Sequence, residues 1–431
     1  MILFSILDKM NKNIVLQYKA EKENLLSKKY ILRENLVSAK KFVDSDLIKV
    51  IIGPRRVGKS IFSLLLLKNK NFAYLNFDDE CFSKIENYDE IIESLCEVYP
   101  ETKYILFDEV QNLENWELFV NKLQRRGYNL TITGSNAKLL SHELSTKLTG
   151  RYIAMEIFPF SFKEFLKAKE FKYVKKEIDL PEVKGKLMNL LDEYLKNGGF
   201  PEIVVKRIET KKYLETLFDA VLFKDVVKRY KVRFSRDIYN LAVYLIANFC
   251  GEFTYTRLKN VLKFRSVKTL QDYLGYLENS YLFFSLNRFS FKISEQIKTS
   301  KKIYMADNGF ILAKAFTVSQ NLSKLLENLV FIELLRREFK INDNIFYYKT
   351  KNGREVDFII KENFEIKKLI QVCYDISREE VKTREMRALS NASAELNCED
   401  LSVITWNYEA ESLFKGKKIK FIPLLKWLLR L

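Results

Sequence analysis

Between an apolar strand and an apolar helix the chain carries Gly53, Pro54, Arg55, Arg56, Val57, Gly58, Lys59 and Ser60, within IKVIIGPRRVGKSIFSLLLLKN. The spacing fits G-x-x-x-x-G-K-[ST]. Glycines let a backbone wrap an anion with its N–H groups turned inward, and the N-terminus of the helix that follows adds partial positive charge. In such a loop Lys59 reaches the β- and γ-phosphates of a nucleotide, and the Ser60 hydroxyl takes one Mg²⁺ position. Arg55 and Arg56 either hold the loop or touch a partner.

Hydrolysis needs a carboxylate pair on a neighbouring strand, and YILFDE supplies one. Four apolar residues set Asp108 at the carboxyl end of a buried strand, where it orients Mg²⁺ through water. Glu109 beside it polarises the attacking water. Buried acids are costly without a cation or donor, although a pair that merely caps the next loop is the competing reading. Downstream, LTITGSN ends a strand at Ser135 and Asn136. Either can bond the nucleophilic water or the γ-phosphate, and a plain strand exit accounts for them equally well. LTGRY sets Arg151 just ahead of the next strand, where a guanidinium can contact the phosphate of a neighbouring subunit. Arg55, Arg56 and Arg151 also read as simple surface charges. No N-K-x-D occurs, so the expected ligand is ATP with Mg²⁺.

These groups need a parallel sheet to gather them. From Leu47 short apolar strands (LIKVII, FAYLNFD, KYILFDE, NLTITGS, YIAMEIF) alternate with helices at 59 to 67, 88 to 98 and 114 to 126. That alternation marks a parallel α/β core. Residues 1 to 45 read as a charged helical lead-in, 46 to 160 as the core, and 161 to 236 as a helical lid broken by the turn KNGGFPE. Residues 237 to 300 and 301 to 431 form two further units, and the strand pattern returns near Ile303.

Among 431 residues, 73 are basic and 56 acidic, a net charge of +17. The excess favours polyanionic partners, or equally a lysine-rich solvated surface. Five scattered cysteines and one histidine, His142, make zinc a poor expectation and fit a reducing cytoplasm. The N-terminal MILFSILDKMNKN is too short to span a bilayer, and the tail FIPLLKWLLRL reads as a packing helix, so no membrane partner is expected.

Taken in order, GPRRVGKS, ILFDE, ITGSN, LTGRY, FPFSFKEFL, NGGFPE, KIYMADNGF, LLENLVFIELLRR and YYKTKNGREVDFII resemble a largely uncharacterised family of prokaryotic AAA-type ATPases. The resemblance implies an α/β fold: a P-loop AAA-type core followed by a helical lid, a winged helix-turn-helix and a small restriction-endonuclease-like domain. It implies the roles given above for Lys59, Ser60, Asp108 and Glu109, and an Arg151 finger that requires a homo-oligomer.

Residues 256 to 262 and 267 to 278 also read independently as two short helices before the β-rich YLFFSLNRF, the order of a winged helix. Lys263, Arg265, Lys268 and Arg288 would rim its outer face. Such a module either contacts DNA or packs against protein, and Tyr273 and Tyr276 fit a core. At the C-terminal end, Glu327 and Asp357 resemble the acids of a PD-(D/E)xK nuclease, whose third strand needs an acid and a lysine two residues on. Gln371 and Cys373 stand there instead, and Lys367 and Lys368 lie upstream, so no cleavage is expected. The expectation is an ATPase whose turnover moves the lid and winged helix. The alternative is a nucleotide-gated DNA-binding regulator with little hydrolysis.

Overall fold

The computed structural model describes residues 2–84, 88–137, 148, 150–314 and 322–431, so His142 and most of the segment before Arg151 lie outside it. The chain divides into two compact units, Met1–Phe158 and Pro159–Leu431.

In the first unit, five strands, β1 (Ile48–Ile52), β2 (Phe72–Asn76), β3 (Tyr104–Asp108), β4 (Asn129–Gly134) and β5 (Tyr152–Glu156), form one sheet in the order β2-β3-β4-β1-β5. Every pairing is parallel. Strand β3 is buried from Ile105 to Asp108 and reads as a continuous apolar run up to its terminal acid, whereas β4 alternates Leu130 and Ile132 with the buried Thr131 and Thr133. Helices at Lys59–Leu67, Tyr88–Val98 and Trp116–Arg125 connect them. The helix at Ile2–Ser27 is part of this unit: Lys22 donates to Phe72 O at 2.7 Å and Tyr18 to Asn76 O at 3.1 Å. The lead-in thus closes the β2 edge of the sheet, where unpaired backbone groups would otherwise be exposed.

The second unit opens with helices at Phe162–Ala168, Pro181–Asn197, Pro201–Lys206 and Thr210–Ala220. A helix (Ser235–Ala247), β6 (Glu252–Phe253), helices at Tyr255–Leu262 and Val267–Asn279, β7 (Phe283–Asn287) and β8 (Lys301–Met305) follow. Thr254 and Ser266 cap the two middle helices, accepting from the Arg257 and Thr269 N–H groups at 3.2 and 3.0 Å. The strands pair antiparallel in the order β6-β8-β7. The pattern change near Ile303 assigns Lys301–Met305 to the C-terminal region, but this strand completes the sheet begun at Phe253. A run of five residues states that it is a strand without stating its partner.

The remaining strands, β9 (Ile345–Lys349), β10 (Glu355–Glu362), β11 (Glu365–Cys373), β12 (Leu401–Thr405), β13 (Ala410–Phe414) and β14 (Lys417–Pro423), form a mixed sheet in the order β13-β14-β12-β11-β10-β9. The helix Glu379–Leu396 packs on it through Met386, Leu389 and Leu396. The tail helix Leu424–Leu429 is buried, as a packing element should be. No helix among the described residues is long and apolar enough to cross a membrane, and the five cysteines are free thiols.

Four of the later motifs meet inside the second unit. The Asp307 carboxylate accepts the Gly199 and Gly309 N–H groups, each at 2.8 Å. Gly198, at φ +76°, packs so tightly on it that an added Cβ would lie 1.6 Å from Asp307 Oδ1. Asn328 exchanges bonds with Met305 and donates to Asn308 at 2.9 Å. Arg336 closes the group by donating to the carbonyls of Pro159 and Phe160. KNGGFPE, ADNGF, LLENLVF and FPFSF are therefore one buried polar knot.

Candidate functional site

The parallel order brings the two halves of a nucleotide site to one edge of the sheet. β1 ends at Ile52 and enters the glycine loop; β3 ends at Asp108, and β4 lies between them. Gly53 has φ +143° and leaves no room for a side chain, since a Cβ there would come within 2.0 Å of Ile157 O. The loop is backed by Arg33, which donates to Val57 O at 3.0 Å and also to Phe158 O.

Lys59 is 4% exposed and donates to Pro54 O at 3.0 Å. Its Nζ lies 3.8 Å from Glu109 Oε1. Asp108 is 3% exposed, and its carboxyl is pushed up to about 6, first by burial and then by the charge of Glu109. Bonds from Ser60 and Thr133 and the charge of Lys59 act the other way. A buried acid under this load is a ready ligand, because a cation would relieve both penalties at once. Thr133 does a second job: its oxygen accepts the Glu109 N–H at 3.0 Å, holding the acid pair at the strand exit. Glu109 itself sits in the left-handed region at φ +51°. For a non-glycine residue that is a strained position worth a functional explanation.

Ser135 is 1% exposed, and its Oγ is buried without a hydrogen-bond partner among the described residues; Asn136 lies beside it, also buried. Arg55 faces Asp78 at 3.5 Å, and Asp78 also accepts from Asn112 at 3.2 Å. Arg56 is exposed at φ +66°. Gly53 to Ser60, Asp108, Glu109, Ser135 and Asn136 thus share one edge. These residues fit ATP and Mg²⁺: a tight cradle, an orphan buried hydroxyl, and a hydroxyl–carboxylate pair in Ser60 and Asp108.

The structure does not bring Arg151 to this site. Its carbonyl accepts the Ile48 N–H at 2.9 Å, which places it at the opposite end of β1, about 16 Å away along the strand. There it lines a cavity of about 480 Å³ with Asp44, Lys103, Arg125 and Asn129. Arg288, expected on an exposed basic rim, instead donates to Lys349 O at 3.1 Å and is partly buried. Of the two tyrosines expected in a core, Tyr273 is buried, while Tyr276 is only half-buried and stacks on Tyr230 at 4.0 Å.

At the C-terminal acids a lysine enters that sequence reasoning missed. Lys302, 2% exposed, lies 2.8 Å from Glu327, 2.6 Å from Glu355 and 3.1 Å from Asp357. Gln371 accepts the Asp357 N–H at 3.2 Å, and burial pushes the Cys373 thiol up to about 12. Neither contributes charge. The one ammonium serves three carboxylates, so the residues do not fit a resident divalent ion there, and no group of three or more acidic, histidine or cysteine residues able to hold a metal occurs among the described residues. The available signal was alternation: Lys302 faces the same side of β8 as the buried Tyr304. Thr133, Arg33 and Gln111 join the site through contacts with the acid pair and the loop, and of these only Gln111, two residues past Glu109, has a sequence signal.

An AAA domain model matches residues 45–166, spanning the whole nucleotide edge. Over 426 residues the chain is 39% identical to the uncharacterized protein MJ1544 of Methanocaldococcus jannaschii, covering 92% of this chain and 94% of that one. It belongs to this AAA-type P-loop ATPase family. An uncharacterized protein of Haemophilus influenzae is 31% identical over 94% of this chain and all of its own. Two domains of unknown function, DUF8612 and DUF4143, match residues 188–321 and 322–427 of the AAA-type chain. The solved Walker-type ATPase paby2304 of Pyrococcus abyssi aligns with 66% of this chain and 95% of its own at 17% identity and a TM-score of 0.40, too distant to add to the assignment.

Proposed function

We propose that the chain is a Mg²⁺-dependent ATPase in which Glu109 activates the attacking water. The observation that carries this is the pairing of a Walker loop with an acid, Glu109, whose Oε1 faces Lys59 at 3.8 Å. Lys59 and the loop N–H groups hold the phosphates; Ser60 and Asp108 would hold Mg²⁺, which when bound would supply positive charge against the γ-phosphate. Ser135 or Asn136 contacts the γ-phosphate or the water, and Arg151 serves the site of a neighbouring copy in a homo-oligomer. Its distance from its own loop supports action in trans.

Turnover acts on the second unit. Supporting this, Arg33 links the loop carbonyl of Val57 to Phe158, the last residue of the first unit. In the second unit, the order helix, strand, two capped helices and two antiparallel strands supports a winged helix at about 235–305. Lys263, Arg265 and Lys268 lie exposed on it, which favours DNA as a partner. The C-terminal sheet is read as a nuclease-like domain without cleavage. The test is ATP turnover with and without Mg²⁺: metal-dependent phosphate release supports the reading, and release unaffected by chelation contradicts it.

A further inference from the structure

Resting on the ATPase reading, we propose that Gln111 is a positioning residue that orients Glu109 for attack. Glu109 and Gln111 flank Val110 in one tight turn, Val110–Asn112 with Glu109 at its head. The Gln111 side-chain amide donates to Glu109 Oε2, while Glu109 Oε1 lies 3.8 Å from Lys59 Nζ. The two carboxylate oxygens are thereby made different: one is tied by the amide, and the other faces the lysine that meets the phosphates.

Rotation of a glutamate carboxylate about its last torsion is broad and roughly two-fold, so without a donor the base would present either oxygen in many directions. The turn fixes the backbone, with Glu109 held at φ +51° and its N–H bonded to Thr133. Gln111 fixes what the backbone cannot. The far side of the same amide tells the same story. Gln111 Oε1 is buried and has no hydrogen-bond partner among the described residues, an unmet acceptor of the kind that folded proteins rarely keep without a reason. Turning the amide over would set that oxygen against a carboxylate, so the donor stays on Glu109.

The arrangement aims the base rather than sequestering it. A parked carboxylate would have both oxygens engaged away from the phosphate site, whereas here Oε1 points toward Lys59. Loss of the amide should therefore slow the chemical step and leave nucleotide binding intact.

The experiment compares the native chain with Gln111→Ala, Gln111→Met, Glu109→Gln and the double variant Gln111→Ala/Glu109→Gln, measuring kcat, KM and ATP affinity. Both single changes at position 111 are expected to lower kcat about 10- to 100-fold, with KM and affinity within about twofold of native. In the Glu109→Gln background the second change should add nothing, because there is no base left to orient. Equal losses in both backgrounds, an effect confined to KM, or full kcat in Gln111→Met would each overturn the proposal. Should the native chain and Glu109→Gln turn over alike, the ATPase reading falls first. Native turnover that depends on Glu109 but ignores Gln111 removes this inference alone.

Discussion

The ammonium of Lys59 lies 3.8 Å from one carboxylate oxygen of Glu109 and donates to Pro54 O at 3.0 Å. The nucleotide edge is thus poised around a buried cation held by its own loop, which a phosphate can take over. Replacing Lys59 with Ala removes a charge-assisted bond, so ATP affinity measured by calorimetry should fall at least about 10-fold. Unchanged affinity would contradict the assigned role.

Lys302 predicts a stability effect in the second unit. Its ammonium holds Glu327, Glu355 and Asp357 together, and Lys302→Met strands three acids around an apolar side chain. Breaking a buried ionic group by removing one partner costs about 3–5 kcal/mol, to be read from denaturant midpoints. Adding Glu327→Gln should recover part of the loss. A neutral result for Lys302→Met would show that the network is not what holds these elements.

Asp307 predicts a pH dependence. Burial pushes its carboxyl up to about 6 despite the two backbone N–H groups that bond it. A folded value above the unfolded one means the native state binds the proton more tightly. The contribution of Asp307 to stability is therefore fully present below about pH 4 and lost as pH rises through 6. Measured against Asp307→Asn, which cannot titrate, native stability should gain on going from pH 7 to pH 4. A constant difference across that range would refute the assignment.

If the exposed Lys263, Arg265 and Lys268 meet phosphates, duplex affinity should fall steeply with salt. Lys263→Ala with Arg265→Ala should then flatten the log–log slope by about 2. Binding without salt dependence, or a slope that ignores both changes, would leave the basic residues as plain surface. Arg288→Ala should not alter the slope, since its guanidinium is turned to Lys349 O.

The local patterns were legible because local chemistry writes them. The helix at Lys59–Leu67 and the strand ending at Asp108 follow from apolar runs bounded by glycine and acid, and the structure places both where the motif requires. What the sequence could not show depends on partners distant along the chain. Arg33 reaches Val57 across 24 positions, and Lys302 reaches Asp357 across 55. A lysine inside KKIYM looks like solvent-facing charge until the strand is known to be central, with β6 on one side and β7 on the other. LTGRY marks Arg151 as a candidate finger ahead of a strand, but only the parallel pairing of β1 with β5 shows that it lies at the far edge from its own loop.

The most direct test of the account is a paired measurement on Glu109→Gln: equilibrium binding of Mg·ATP and steady-state phosphate release. Retained binding with turnover lowered at least about 100-fold is the predicted result. Turnover equal to that of the native chain would contradict it.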